Sequence, residues 1–377
     1  MSTYSQAEEA LRRAILAASE GLIDRRALVE LIAMAAIAGE HLLVIGPPGT
    51  AKSEAVRRIA SSLGGSYFEY LLGRFTEPSE IFGPVSLKRL KDGVVETETA
   101  GMLPEADIAF LDEVFLGSTA ILNTLLGILN ERRFRRGHTA IQCPLRVCVG
   151  ASNRLPDDEM LAAFADRFLV RVFVGPVGDS RLEELLDASW QPWQPEKGHL
   201  ASIADIDTLS RAARSVDLSH IRSALAQAIR IVRSVGVELT DRRAARVQRL
   251  VAAAAAIQGK NRADERDIWP IVYAIPTEAG QQLARNALRD LLGSSENASL
   301  SAAAEDGSLG PKARAHRIVT HARTLLLAST NQADDAAFRL KLEGVAREID
   351  AGFSEATIPP ELADVRSRIV ALLAPTK

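Results

Sequence analysis

Cysteine is nearly absent: Cys143 and Cys148 are the only two in 377 residues. That is too few for a disulfide framework or a closed zinc site, and their spacing, which suits neighbouring strand positions, predicts buried thiols. The six histidines are scattered without metal-ligand spacing. Long apolar runs are missing too. Stretches such as Leu250 to Ile257 fall far short of the roughly 20 residues that span a bilayer. Neither sign of charge dominates, since 45 Lys plus Arg against 48 Asp plus Glu leave −3. A global basic footprint for nucleic acid is thereby excluded, although a local patch is not. Met1 to Glu9 lacks the basic flank and apolar core of a signal peptide, so a cytoplasmic location is expected. Asn297-Ala298-Ser299 is then a chance match to a glycosylation pattern. Hydrophobic residues at 47% and charged residues at 25% are ordinary for a globular protein, and the length predicts two or three domains.

What is present centres on Leu42 to Ser53, Leu-Leu-Val-Ile-Gly-Pro-Pro-Gly-Thr-Ala-Lys-Ser. Leu42 to Ile45 is short and wholly apolar, as a central strand buried on both faces must be. Gly46, Pro47, Pro48 and Gly49 break regular structure. Glu54 to Leu63 then shows helical spacing of Val56, Ile59, Ala60 and Leu63. Strand, glycine-bearing loop, Lys-Ser and helix form the context of a phosphate-binding loop. Loop amides and the helix N-terminus direct positive partial charge at the β- and γ-phosphates. Lys52 would pair with those phosphates, and the Ser53 hydroxyl would ligate Mg²⁺. Ala51 stands where the usual pattern has its last glycine. An ordinary strand-turn-helix would give no reason for Lys and Ser directly after the turn.

Asp107 to Leu111 reads as another buried strand, ending on Asp112-Glu113. Ligands of open α/β sheets sit at the carboxyl ends of strands, so this acidic pair can meet the loop. Asp112 is suited to hold Mg²⁺, directly or through water, and Glu113 to orient and activate an attacking water. The bland alternative is a solvated helix N-terminus. Leu145 to Ser152 is a further strand whose tip, Asn153, either reaches a γ-phosphate or its water, or forms a turn before Arg154-Leu155-Pro156.

The fold class is α/β: a parallel sheet sandwiched by helices over residues 1–176, followed by an all-α lid over 177–293. Within the first unit, Gly117 to Arg132 predicts a helix and Arg133 to Gln142 a hairpin. Val85 to Leu87 and Val94 to Thr97 predict a second hairpin, closed at Asp92-Gly93. In the lid, Glu265 to Ala274 reads as one helix, and Trp190 and Trp193 are expected to pack the domain joint. Residues 294–311, rich in Ser, Ala and Gly, read as a flexible linker. Residues 312–377 form a C-terminal region of about three helices.

With these residues in place, the chain resembles AAA+ ATPases of the MoxR family, most of all the RavA (regulatory ATPase variant) branch. The resemblance is carried by Gly46 to Ser53, Arg74-Phe75, Glu80-Ile-Phe-Gly-Pro84 and Phe110-Leu-Asp-Glu-Val114. It continues through Ala120 to Leu126, Asn130 to Arg135, Ala151-Ser-Asn153 and Asp166-Arg-Phe168. It implies ATP or ADP and Mg²⁺ as cofactors, with Asp112 and Glu113 as Walker B and Asn153 as sensor 1. Arg167 would be a finger reaching a neighbouring subunit, and Arg242 the sensor 2 residue, with Arg243 the competing choice. Leu22 and Ile23 complete the expected nucleotide-binding set, which also holds Gly46, Pro47, Pro48, Gly49, Thr50, Ala51, Lys52, Ser53 and Glu54. The resemblance further implies a hexameric ring, a von Willebrand factor A (VWA) domain partner and remodelling of a protein client. Two rivals stand beside it. Near-neutral charge weighs against a nucleic-acid motor, and intact Lys52, Asp112, Glu113 and Arg167 weigh against a scaffold that binds ATP without turnover.

Overall fold

Helices α1 (Thr3–Ser19) and α2 (Arg26–Ala38) precede the first strand. From Leu28 to Ile37 every residue of α2 is buried, as a helix almost without a polar face must be. The chain then forms β1 (Leu42–Ile45), α3 (Lys52–Leu63), β2 (Tyr67–Leu71), α4 (Pro78–Phe82) and α5 (Leu87–Lys91). There follow β3 (Ile108–Asp112), α6 (Thr119–Glu131), the ribbon β4 (Arg133–Arg136) and β5 (Thr139–Gln142), β6 (Val147–Ser152), α7 (Glu159–Ala165) and β7 (Val170–Phe173). Helices α8 (Leu182–Trp190), α9 (Ile203–Ser215), α10 (Arg222–Ser234), α11 (Asp241–Ile257), α12 (Glu278–Ala287), α13 (Arg289–Leu292) and α14 (Ser301–Leu309) follow. The computed structural model describes residues 3–190, 193, 198–309, 315, 318–319, 322–323, 325–326, 336–353 and 358–373.

Five parallel strands make the sheet, in the order β2-β3-β6-β1-β7. Leu42 of β1 lies opposite Val149 and Val170 on its two neighbours, so an apolar strand occupies an interior position. Alternate side chains enter opposite faces. Leu42, Val44, Ile108, Phe110, Val147 and Val149 join one core, while Leu43, Ile45, Ala109, Leu111 and Cys148 join the other. Both cysteines are buried, which pushes Cys143 up to about 11 and Cys148 to about 12. Helices α4, α6 and α7 and the ribbon cover the second face, with Phe134 stacked on Phe82 at 5.6 Å.

The first face is covered by α1, α2 and α3 together with α9, α10 and α11 from the far half of the chain. Ala252 to Ala256 of α11 are all buried, and such small side chains let α11 lie close against α2. A boundary at residue 176 therefore divides sheet from helices along the sequence but not within the core. Residues from Ala7 to Ala304 share one apolar cluster.

Several local expectations are corrected. Val85 and Thr97 form one antiparallel bridge, but Leu87–Lys91 between them is helical, because Leu87 and Leu90 recur at helical rather than alternating spacing. Glu265–Asp267 and Trp269–Ala274 are two 3₁₀ turns instead of one helix, since Pro270 withholds an amide. Ser301–Leu309, expected within a linker, is helix α14. Its Ala303 amide donates to the buried Glu30 carboxylate (2.8 Å), and Tyr273 Oη donates to Ala303 O (2.8 Å). Gly310 and Pro311, the end of that expected linker, lie outside the described residues. Trp193 does pack, its ring under Arg58 at 5.0 Å, whereas Trp190 is 88% exposed. Asn297 is buried and donates to Ala254 O at 3.1 Å, so it is no glycosylation acceptor. Beyond α14, helices Ala336–Gly352 and Pro360–Leu373 close a small separate core with Ile318, Val319 and Ala322. Most of the third helix expected in this region lies outside the described residues.

Candidate nucleotide site

The loop after β1 is shaped by backbone constraints. Gly46 donates its amide to Ser152 O at the tip of β6 (3.1 Å), and a Cβ on Gly46 would lie 2.1 Å from Val174 O. Pro47, Pro48 and Gly49 are exposed, and Thr50 Oγ1 donates to Pro47 O at 2.8 Å. Ala51 takes φ 57, ψ 28, a left-handed conformation that costs a residue bearing Cβ about 1–2 kcal/mol. The backbone thus keeps the shape for which the usual pattern has glycine. No side chain caps α3, which leaves its first-turn amides for an anion.

Lys52 is buried, and Nζ donates to Gly46 O (2.8 Å) and Pro47 O (2.9 Å). Burial lowers its pKa; the nearby Asp112 and Glu113 oppose that shift and Arg25 adds to it. Asp112 ends β3, and its Oδ1 accepts the Glu113 amide at 2.9 Å. Glu113 adopts φ 49, ψ 45. Strain of this kind costs about 1–3 kcal/mol and concentrates at functional sites. Asn153 Nδ2 donates to Glu113 Oε1 at 2.8 Å. That contact spans 40 residues of sequence because β3 and β6 are neighbours in the sheet.

The structure brings together Lys52, Asp112, Glu113 and Asn153 at the carboxyl edge of the sheet. Ser53 follows Lys52 in the first turn of α3. Glu54, expected in the nucleotide set, instead pairs with Arg58 at 2.8 Å on the surface of α3. Leu22 (buried) and Ile23 (half-buried) lie in the turn between α1 and α2. Arg25, from the same turn, binds Thr50 O of the loop at 2.7 Å. Asp-Arg-Arg before a helix carries no signal of that contact, and Arg25 was not legible as a site residue.

Three arginines lie elsewhere. Arg167 lines a recess of about 120 Å³ between α6 and α7 with Thr119, Asn123, Met160 and Phe164. Its Nε is buried without a partner, and none of the lining residues belongs to the phosphate loop. Arg242, expected over the nucleotide, donates instead to Asn130 Oδ1 (2.9 Å) at the end of α6. Arg243 is buried against Asp166 (2.9 Å) and Leu169 O (2.6 Å), just before β7. Both stand at the amino-terminal edge of the sheet, a strand's length from the loop. The physical reason is that α11 packs on α2 and α9 beneath the sheet instead of closing over the loop.

Residues 9–211, more than half of the chain, match a family model described as the MoxR domain in the MoxR-vWA-beta-propeller ternary systems. The chain belongs to the MoxR family. It is 38% identical over 248 residues to an uncharacterised protein of Methanocaldococcus jannaschii, covering 65% of this chain and 66% of that protein, a little under two thirds of its length. A Mycobacterium tuberculosis protein named Chaperone MoxR1 is 25% identical over 215 residues, 56% of each chain. A Cytophaga hutchinsonii crystal structure, provisionally described as an ATPase, superposes with TM-score 0.62 at 16% identity, covering 78% of this chain and 96% of that one. That last likeness concerns the fold, and the fold is a MoxR-type AAA+ core with a helical C-terminal region. No helix among the described residues is long and apolar enough to cross a membrane. The groups this MoxR chain assembles at the loop carry opposite charges yet few direct ion pairs, an arrangement suited to receiving a polyanion together with a cation.

Proposed function

We propose that this MoxR protein is a Mg²⁺-dependent ATPase, of RavA-like type, that couples hydrolysis to remodelling or maturing a protein client. One observation carries the reading: Lys52, Asp112, Glu113 and Asn153 converge beside a loop whose following helix has an uncapped N-terminus. The donor set fits the nucleotide. A buried ammonium bonded only to carbonyls gains a phosphate partner, which forms charge-assisted bonds that carbonyls cannot match. Ser53 and Asp112 would hold Mg²⁺, which supplies neutralisation of phosphate charge when bound. Glu113, oriented by Asn153, accepts the proton of the water that attacks the γ-phosphorus. The bond from that phosphorus to the bridging oxygen breaks, and ADP leaves with the electron pair.

Arg167 lines a recess that no phosphate-loop residue borders, so in this reading it serves the site of a neighbouring subunit in a hexameric ring. Its planar guanidinium fork would stabilise charge developing on the transferred phosphoryl group. The ternary-system description of the matched family supports a VWA-domain partner, and the chaperone name of one relative supports a protein client. A cytoplasmic location accords with this reading. ATP titration and phosphate release test it. Glu113→Gln should bind ATP like the unaltered protein and hydrolyse it about 10²–10⁴-fold more slowly, while Lys52→Ala should lose binding. Hydrolysis by Glu113→Gln at the unaltered rate would sink the assignment of the base.

A further inference from the structure

Arg25 is only 4% exposed, yet among the described residues its guanidinium donates to no carboxylate. Its guanidinium is divided among three carbonyls. Nε donates to Thr50 O in the phosphate loop (2.7 Å), Nη1 to Asp24 O (2.9 Å) and Nη2 to Gly175 O (2.5 Å) in the strap that leaves β7. The guanidinium is a rigid planar fork, so a single side chain fixes the spacing between loop and strap. The strap is gripped on its outer side as well. Arg181 pairs with Asp24 and with Glu184. Helix Ala336–Gly352 contributes Lys341 to Glu183 (2.8 Å) and Arg347 to Asp179 (3.9 Å), and it sets the Glu348 carboxylate against Gly178. Among the described residues, the apolar cluster of the C-terminal helices holds residues between 315 and 373 alone, and these polar contacts join it to the strap.

We propose that Arg25 is a positioning residue for the phosphate loop, through which nucleotide binding is linked to docking of the C-terminal helices on residues 175–183. The inference rests on the nucleotide reading of the loop. Docking steadies the strap, the strap holds Arg25, and Arg25 holds the Thr50 carbonyl and with it the loop. Linkage is reciprocal, so bound ATP tightens docking by the factor with which docking tightens ATP. The outer ion pairs are exposed and individually weak, which leaves the docking equilibrium responsive to small changes in the strap.

Two readouts test this on the full chain: hydrogen exchange of the loop amides over residues 46–53 without nucleotide, and titration with a fluorescent ATP analogue. Arg25→Lys keeps the charge but replaces the planar fork, whose separate nitrogens hold Thr50 and Gly175, by a single nitrogen on a flexible stem. Loop exchange should quicken and affinity fall about tenfold, within the usual range of coupling. Glu183→Lys, on the exposed docking face, should quicken loop exchange and weaken affinity about fivefold. Adding Lys341→Glu should restore both by re-forming the pair in reverse, an arm that does not depend on Arg25→Lys folding. In the Arg25→Lys background Glu183→Lys should change neither readout further. Unaltered behaviour of Arg25→Lys would overturn the proposal. So would an effect of Glu183→Lys that persists undiminished in that background, or that the reversed pair fails to rescue. If the unaltered protein bound no ATP, the nucleotide reading would fall, while loop exchange would still decide the coupling.

Discussion

At the amino-terminal edge of the sheet Arg243 is 2% exposed and has its donors occupied: Nε on Ala274 O, Nη1 on Asp166 and Phe168 O, Nη2 on Leu169 O. At the carboxyl edge Arg25 and Lys52 are buried almost as deeply, yet they hold only carbonyls. The first edge supplies carboxylates for its cations. Glu40, fully buried, receives Arg246 and Arg249, and Arg146 lies between Asp107 and Asp207. The matching there is not complete, because Arg171 keeps Nε and Nη1 without partners and is pulled down to about 9 by burial and Arg243. The difference teaches where the sheet is built to stay and where it is built to receive. A buried cation with its own carboxylate is finished, whereas one resting on carbonyls still has an anion to gain.

Breaking the finished edge should have the largest effect on stability. Arg243→Ala would leave Asp166 and three carbonyls without their donor, at about 3–5 kcal/mol, while Arg242→Ala, which loses one exposed bond, should stay within about 0.5 kcal/mol. Urea denaturation of the two variants measures the contrast, and equal losses would erase the distinction between neighbours. His41 sharpens it through pH. Its Nδ1 accepts the Cys148 amide (2.9 Å) and its Nε2 faces Leu129 O (3.0 Å), with the Arg132 guanidinium alongside. Burial first, and then Arg132, hold its pKa well below the usual imidazole value. A histidine depressed in the folded state contributes stability above its unfolded pKa, near 6.5, and loses it as pH falls towards the folded pKa. The urea midpoint should therefore drop from pH 7.5 to 5.5, and His41→Asn should flatten that slope. An unchanged slope would count against the buried neutral ring. The smallest effect belongs to the receiving edge. Ala51→Gly relieves the left-handed backbone and should raise the thermal midpoint by the equivalent of at most about 1 kcal/mol; a lowered midpoint would mean that Ala51 is unstrained.

The loop was legible because its signals are local: an apolar run, glycines and Lys-Ser in adjacent positions. Asp112, Glu113 and Asn153 were legible as strand tips, and sheet order then brought them together. Arg25 was not, since its partners Thr50 and Gly175 lie 25 and 150 residues away. Nor was the place of Arg242, which depends on where α11 packs rather than on its own motif. Helix α14 was hidden by composition. Ser, Ala and Gly suggest a linker, but here small residues are needed, because a Cβ on Gly307 would stand 3.0 Å from the Tyr273 ring. Its partners Glu30, in α2, and Tyr273, in the 3₁₀ turn Trp269–Ala274, are distant in sequence.

The shared core beneath the sheet also sets an order of events during synthesis. α2, with its buried run from Leu28 to Ile37, emerges from the ribosome about 200 residues before α11, which is part of its cover. Long-range closure of this kind is slow, and exposed apolar surface invites aggregation while it lasts. A nascent chain that has completed all five strands has therefore not yet completed its fold. That face of the sheet lacks part of its cover until Ala252 to Ala256 arrive.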